Sequence, residues 1–239
     1  MTYQTDLFAG KTALVTGATQ GIGAGVANLL ASLGARTIAA GLSHTEGELR
    51  PDIEVRIGDV SRADDVDQLL RGIDDLDIVV NCAGVIRRGA EHDPAVFEQV
   101  LAVNLTGTMR VCSAARDRLA RRAGCIVNTA SMLSFFGGAL VPAYAASKGG
   151  VAQLTKSLAL AYAEDGIRVN AIAPGWIATP LTQALQEDPA RSGRILERTP
   201  LGRWGTPEDV AKGVAFLCSP ASSFMTGVIL PVDGGYLIA

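Results

Sequence analysis

Seven short runs rich in β-branched and apolar residues recur along the chain with longer helical stretches between them. This alternation limits the fold more than any other feature. The runs are TALVTG (12–17), RTIAAG (36–41), IEVRIGD (53–59), DIVVNCAG (77–84), CIVNTAS (125–131), IRVNAIAPG (167–175) and VILPVDGG (228–235). Several are apolar at consecutive rather than alternate positions, as parallel strands covered by helices on both faces are. Helical periodicity fills the gaps at 21–33, 62–72, 94–121, 143–163 and 207–218, and Thr206 and Pro207 open the last as cap and first helical residue. The expected fold class is α/β: a doubly wound, seven-stranded parallel sheet in one domain over 1–239. One stretch breaks the rhythm. ATPLTQALQEDPARSGRILERTPLGRWG (178–205) is longer and more polar than a simple crossover and reads as a lid over a ligand bound beyond the strand ends.

Charge and cysteine usage narrow the partners. With 21 basic and 24 acidic residues mixed along the chain and a net charge of −3, no electrostatic footprint for nucleic acid or an anionic membrane is present. No apolar run reaches the length of a membrane span, so a cytoplasmic protein with a small-molecule partner is expected. The four cysteines fit neither a zinc pattern nor a disulfide framework, and the two histidines lack ligand partners at metal spacing. No metal site is expected.

The first strand leads directly into TGATQGIG, with Gly17, Gly21 and Gly23 spaced G-x-x-x-G-x-G around Gln20 and Ile22. A glycine at a strand end allows a tight turn, and glycines at a helix start let backbone N–H groups approach a pyrophosphate under the positive end of the helix dipole. Between strand one and helix one of a βαβ series, this is the position of a Rossmann-type dinucleotide site. The second strand ends in Ala40, Gly41, Leu42 and Ser43, with neither the acid that meets a ribose 2′-hydroxyl nor an arginine for a 2′-phosphate. NAD is favoured, with NADP possible. Asp59, followed by Val60, stands where it can accept from an adenine amino group; the alternative is a cap for the next helix. Asn81, Ala83 and Gly84 end the fourth strand, where larger side chains would block the cofactor.

These motifs, with the asparagine of VNLTG (Asn104), Ser131, YAASK (Tyr144, Lys148) and APGWIAT (173–179), resemble the short-chain dehydrogenase/reductase family over nearly the whole length. Tyr144 and Lys148 are four apart and share a helical face. Lowering a tyrosine pKa from about 10 to about 7 needs roughly 4 kcal/mol, the order that an ammonium about 4 Å away supplies at an effective dielectric of 20. Tyr144 is thus expected to be the proton-transfer group and Ser131 to hold the same substrate oxygen, with Ser134 as the rival serine. The resemblance implies that Lys148 binds the nicotinamide ribose and that Asn104 kinks its helix and anchors a water path to Lys148. The alternative for Asn104 is a core amide bonded to backbone. By the same resemblance Pro174, Gly175, Ile177 and Thr179 meet the nicotinamide end. A homotetramer, paired through the helices at 94–121 and 143–163, is implied too.

Within the family, CAGVIRR, SMLSFFGGALVPAY and ILERTPLGRWGTPED are similar to dehydrogenases of deoxy-keto sugar acids. A hydroxy or keto acid substrate brings a carboxylate, for which Arg87 and Arg88 are candidates, with Arg194 and Arg203 behind them. Phe136 and Trp176 are expected to wall the pocket. The rivals are a 3-oxoacyl thioester reductase of the same family and a non-catalytic dinucleotide sensor.

Overall fold

A computed structural model describes residues 2–44 and 47–239. Seven strands, β1 (Thr12–Thr16), β2 (Arg36–Gly41), β3 (Glu54–Ile57), β4 (Ile78–Asn81), β5 (Cys125–Thr129), β6 (Arg168–Pro174) and β7 (Ile229–Val232), pair in parallel in the order β3-β2-β1-β4-β5-β6-β7. Every run read from the sequence is a strand, and most are shorter than the run because turns take their carboxyl ends. β4 stops at Asn81 before the cysteine, alanine and glycine of its loop; β7 stops at Val232, and Gly234 and Gly235 follow at φ of +64° and +89°.

The strands are apolar throughout because both faces are covered. Ala13, Val15, Ile78, Val80 and Val127 meet Val26 and Leu30 of α1 (Gly21–Ser32) and Val210, Val214 and Leu217 of α8 (Pro207–Cys218). Their neighbours Leu14, Val79 and Ile126 point the other way, onto Leu69 of α2 (Ala63–Leu69), Val111 and Leu119 of α4 (Thr108–Ala120) and Leu158 of α5 (Pro142–Ala161). The period of two along a strand thus builds two core layers from one sheet.

The single helix expected over 94–121 is interrupted. α3 (Pro94–Leu101) passes into a π-helical turn, Ala102–Gly107, before α4 resumes, and Asn104 lies inside that turn. The segment 178–205 is mostly helical: α6 (Gln183–Gln186) and α7 (Pro189–Arg198) fill it, and the Asp188 carboxylate caps α7 by accepting from the N–H groups of Ala190 and Arg191. Its two ends meet, since the Ala178 N–H donates to the Gly205 carbonyl and the Gly205 N–H to that of Trp176. The excursion therefore leaves and rejoins the body at one point.

The strand order reverses between β1 and β4. The carboxyl ends of these two strands carry the glycine turn and the loop at 82–84, so the crevice between them is where a ligand site is expected in this architecture.

Candidate active site

A cavity of about 510 Å³ opens at that crevice. Gly17, Gln20, Gly21, Ile22 and Gly23 line one side, Leu42, Asp59 and Val60 another, and Ala83, Gly84, Arg87 and Thr179 complete it. The glycines are dictated by space. A Cβ on Gly23 would lie 2.1 Å from the Gly17 carbonyl oxygen, and one on Gly17 2.6 Å from the Ala83 backbone. The turn is thus pressed onto the β4 loop, with Gly17 and Gly21 at φ of +60° and +57°. Gln20 caps α1 with no side-chain hydrogen bond and no acid lies in the first turn, which leaves the helix's first N–H groups and its positive end open to the cavity. This cradle fits a dinucleotide pyrophosphate.

The adenosine side also fits, without choosing between the two phosphorylation states. A Cβ on Gly41 would sit 2.5 Å from Thr19 Oγ1, so the last residue of β2 has no room for an acid, and the exposed Leu42 follows it. Asp59 reaches the cavity, but one carboxylate oxygen accepts from the Ser61 N–H at 2.8 Å. It serves the local turn and lines the site at once.

Three of the reactive residues converge beside Gly84. Lys148 is buried, its Nζ donates to the Thr129 carbonyl at 2.6 Å, and it stands 5.5 Å from the centre of the Tyr144 ring. A Cβ on Gly84, which lines the cavity, would lie 3.7 Å from that Nζ, so the buried amine stands directly behind that glycine. Ser131, at the end of β5, caps the short turn Met132–Ser134 and neighbours the Tyr144 phenol. Ser134 is not the rival it appeared in sequence: its hydroxyl donates to the Lys148 carbonyl and accepts from the Ser131 N–H, which fixes the two residues against each other.

The electrostatics differ from the sequence expectation. Burial pushes the Tyr144 phenol above its ordinary value, the Ser131 hydroxyl pulls it back, and the Glu91 carboxylate raises it further. Burial lowers the Lys148 ammonium to about 8. The Lys148 ammonium lies over the Tyr144 ring face, bonded to the Thr129 carbonyl, and is itself desolvated.

Asn104 is fully buried, and every group of its amide is used. Oδ1 accepts from the Val85 N–H at 2.8 Å, and Nδ2 donates to the Val85 carbonyl at 2.9 Å and to Ser147 Oγ at 3.0 Å. Ser147 in turn donates to the Tyr144 carbonyl. Asn104 thus interrupts its helix with a π-turn and also bonds its amide to backbone, where it locks the β4 loop to the helix of Tyr144.

Several expected contacts lie elsewhere. Asn81 is buried away from the cavity, with Nδ2 donating to Asn128 Oδ1 at 2.9 Å, because its position on the strand turns it to the opposite face. Gly175 abuts Asp233, and the Ile177 carbonyl accepts from the Thr182 hydroxyl at 2.6 Å. Phe136 and Trp176 form an aromatic cluster instead, each ring beside Tyr236 at 6.4 and 6.2 Å, with Trp204 6.0 Å from Trp176. Arg203 is removed as a carboxylate ligand by its bidentate pair with Asp209 at 2.7 and 3.1 Å. Arg87, Arg88 and Arg194 are all exposed, and of the three Arg87 lines the cavity. Sequence reasoning missed Glu91, whose partners lie on two separate elements, and Arg198, stacked 4.3 Å from Tyr236. No group of three or more metal-ligating side chains occurs among the described residues.

Residues 17–237 match the family profile described as enoyl-(acyl carrier protein) reductase. The chain is 43% identical over 254 residues to 2-dehydro-3-deoxy-D-gluconate 5-dehydrogenase of Bacillus subtilis, covering 99% of each. It is 40% identical to galactitol 2-dehydrogenase (L-tagatose-forming) of Cereibacter sphaeroides, covering 96% of each. Among solved structures, a candidate 2-deoxy-D-gluconate 3-dehydrogenase from Agrobacterium tumefaciens with bound NADP superposes with a TM-score of 0.90 at 40% identity, covering 99% of this chain and 100% of that one. A cavity built for a dinucleotide, beside a serine, a tyrosine and a lysine, in a chain alike to these relatives over its full length, establishes an NAD(P)-dependent oxidoreductase acting on CH–OH groups, and the chain belongs to the short-chain dehydrogenase/reductase family.

Proposed function

We propose that the protein interconverts a secondary alcohol and a ketone on a deoxy-keto sugar acid, using NAD and also accepting NADP. The observation that carries this reading is the meeting of Ser131, Tyr144 and Lys148 behind Gly84, which lines the cavity together with Arg87. The relative named for 2-dehydro-3-deoxy-D-gluconate and the solved structure named for 2-deoxy-D-gluconate support the substrate class.

NAD(P), when bound, supplies or accepts the hydride. The glycine turn and the open start of α1 hold its phosphates, Leu42, Asp59 and Val60 flank its adenosine, and Lys148 stands at the nicotinamide ribose. Tyr144 exchanges a proton at the substrate oxygen, as base in oxidation and acid in reduction. Ser131 donates to the same oxygen and stabilises negative charge there. Arg87 receives the substrate carboxylate. The segment 178–205 acts as the lid of a single catalytic domain, with Arg198, Phe136, Trp176 and Tyr236 closing its inner side. A cytoplasmic homotetramer is the proposed working form.

The test is an absorbance screen at 340 nm of sugar acids, polyols and acyl thioesters with both cofactors. Sugar-acid turnover is expected. Thioester reduction with no sugar-acid turnover would overturn the substrate class. Tyr144→Phe is expected to bind NAD normally and lose turnover by at least about 10²-fold.

A further inference from the structure

Glu91 is buried to 1% exposure, yet it takes part in none of the ion pairs among the described residues. Its carboxylate instead bridges two backbone groups from different elements. Oε1 accepts from the Arg87 N–H at 2.7 Å, and Oε2 accepts from the Tyr144 N–H at 2.8 Å. The first belongs to the loop after β4 that borders the cavity. The second is in the first turn of α5, whose N-cap, Val141, offers no side-chain acceptor. A buried carboxylate held only by N–H groups is costly unless both bonds are kept, so the pair of contacts fixes its geometry. Asn104 makes a second tie between the same two elements, from Val85 to Ser147, so the two ties meet α5 at Tyr144 and one turn beyond it.

We propose that Glu91 is a positioning residue that holds the backbone of Tyr144 and that of Arg87 at a fixed separation, so that one substrate meets the phenol and the guanidinium together. This rests on the reading of Tyr144 as the proton-transfer group. The charged groups facing the phenol are Lys148 from its own helix and Glu91 from the β4 loop; Ser131 at the end of β5 and Asn104 of the π-turn are uncharged. Glu91 therefore acts on Tyr144 through charge as well as through position, and the two effects separate experimentally.

The experiment measures kcat and KM for sugar-acid oxidation against pH in Glu91→Gln, Glu91→Asp and Tyr144→Phe, with thermal midpoint and NAD affinity as folding controls. In Glu91→Gln an amide NH₂ faces one of the two N–H donors. Turnover is expected to fall about 10²-fold, the effect of an ångström-scale misplacement. The rising limb of the pH profile is expected to move to lower pH, since the charge that raises the phenol is gone. Glu91→Asp keeps the charge with a shorter reach, so its limb should stay at the wild-type pH while turnover falls. Wild-type turnover in Glu91→Gln, or reduced turnover with an unmoved limb, overturns the proposal. If Glu91→Gln does not fold, Glu91→Asp decides: reduced turnover on a wild-type limb supports it, and wild-type turnover overturns it. Full activity in Tyr144→Phe would instead overturn the reading of Tyr144, whatever Glu91 does.

Discussion

Lys148 shows how a residue can weaken the fold and still be required by the site. Its amine is buried with one hydrogen-bond partner, the Thr129 carbonyl, and burial lowers it from an ordinary 10.5 to about 8. Between those values the unfolded chain binds more protons than the fold, so stability rises with pH from about 8 upward, and below that the buried ammonium costs about 3 kcal/mol. Lys148→Met removes this cost at pH 7 and loses one hydrogen bond, a penalty of about 1–2 kcal/mol. The thermal midpoint at pH 7 is expected to rise by about 2–4 °C while turnover is lost, and the gap to wild type should shrink above pH 8. A midpoint below wild type at pH 7 contradicts this account. The spacing of Tyr144 and Lys148 was legible in sequence because a helix repeats every few residues. Their electrostatics were not: these depend on burial and on Glu91, whose bonds to Arg87 and Tyr144 exist only after folding.

At the scale of elements, the amino ends of the strands are tied as firmly as the carboxyl ends are open. Asp77, just before β4, is 5% exposed; it accepts from the Thr12 N–H at 2.9 Å and pairs with Lys11 at 3.0 Å and Arg122 at 3.2 Å. Its own N–H donates to the Thr12 carbonyl, and its carbonyl accepts from the Cys125 N–H, so one residue joins the starts of β1, β4 and β5. Burial pushes its carboxyl up, but the Thr12 N–H and the two cations outweigh that and leave it below the ordinary value. A depressed acid stabilises the fold above its unfolded value and loses that contribution as pH falls through the folded one. Asp77→Asn is expected to cost about 2 kcal/mol at pH 7 in urea titrations and progressively less below pH 4, where the wild type loses its own advantage. Equal stability at pH 7 would exclude this role. The elements themselves were readable because the strands are apolar on both faces and the helices are capped by recognisable residues such as Thr206. The π-turn adds no break in composition; its trace in the sequence is Asn104, where helix propensity disfavours an asparagine and the family resemblance implied a kink. α7 carried its own Asp188–Pro189 start signal inside the polar stretch that reads as a lid.

Across the whole molecule, strand order turns these local features into a site. The reversal between β1 and β4 sets the glycine turn against the β4 loop, and α5 brings Lys148 up behind Gly84 of that loop. Ligand binding at this junction reports on the entire fold, since a molecule that binds only the native state stabilises it by mass action. NAD at 100 times its Kd should add about 2.7 kcal/mol, a midpoint rise of about 5–10 °C for a chain of this size. Gly84 separates the cavity from the fold. Unlike Gly17 and Gly23, it has room for a Cβ, whose nearest neighbours would be Asn104 Oδ1 at 3.5 Å and Lys148 Nζ at 3.7 Å. Gly84→Val should therefore fold with a midpoint within a few degrees of wild type, because an uncrowded substitution costs about 1 kcal/mol. The added methyls enter the space beside Lys148, so the rise on adding NAD should be lost. If Gly84→Val keeps the full rise, the cofactor does not pass between Gly84 and Lys148; if its midpoint collapses without ligand, the loop is a structural clamp before it is a binding surface.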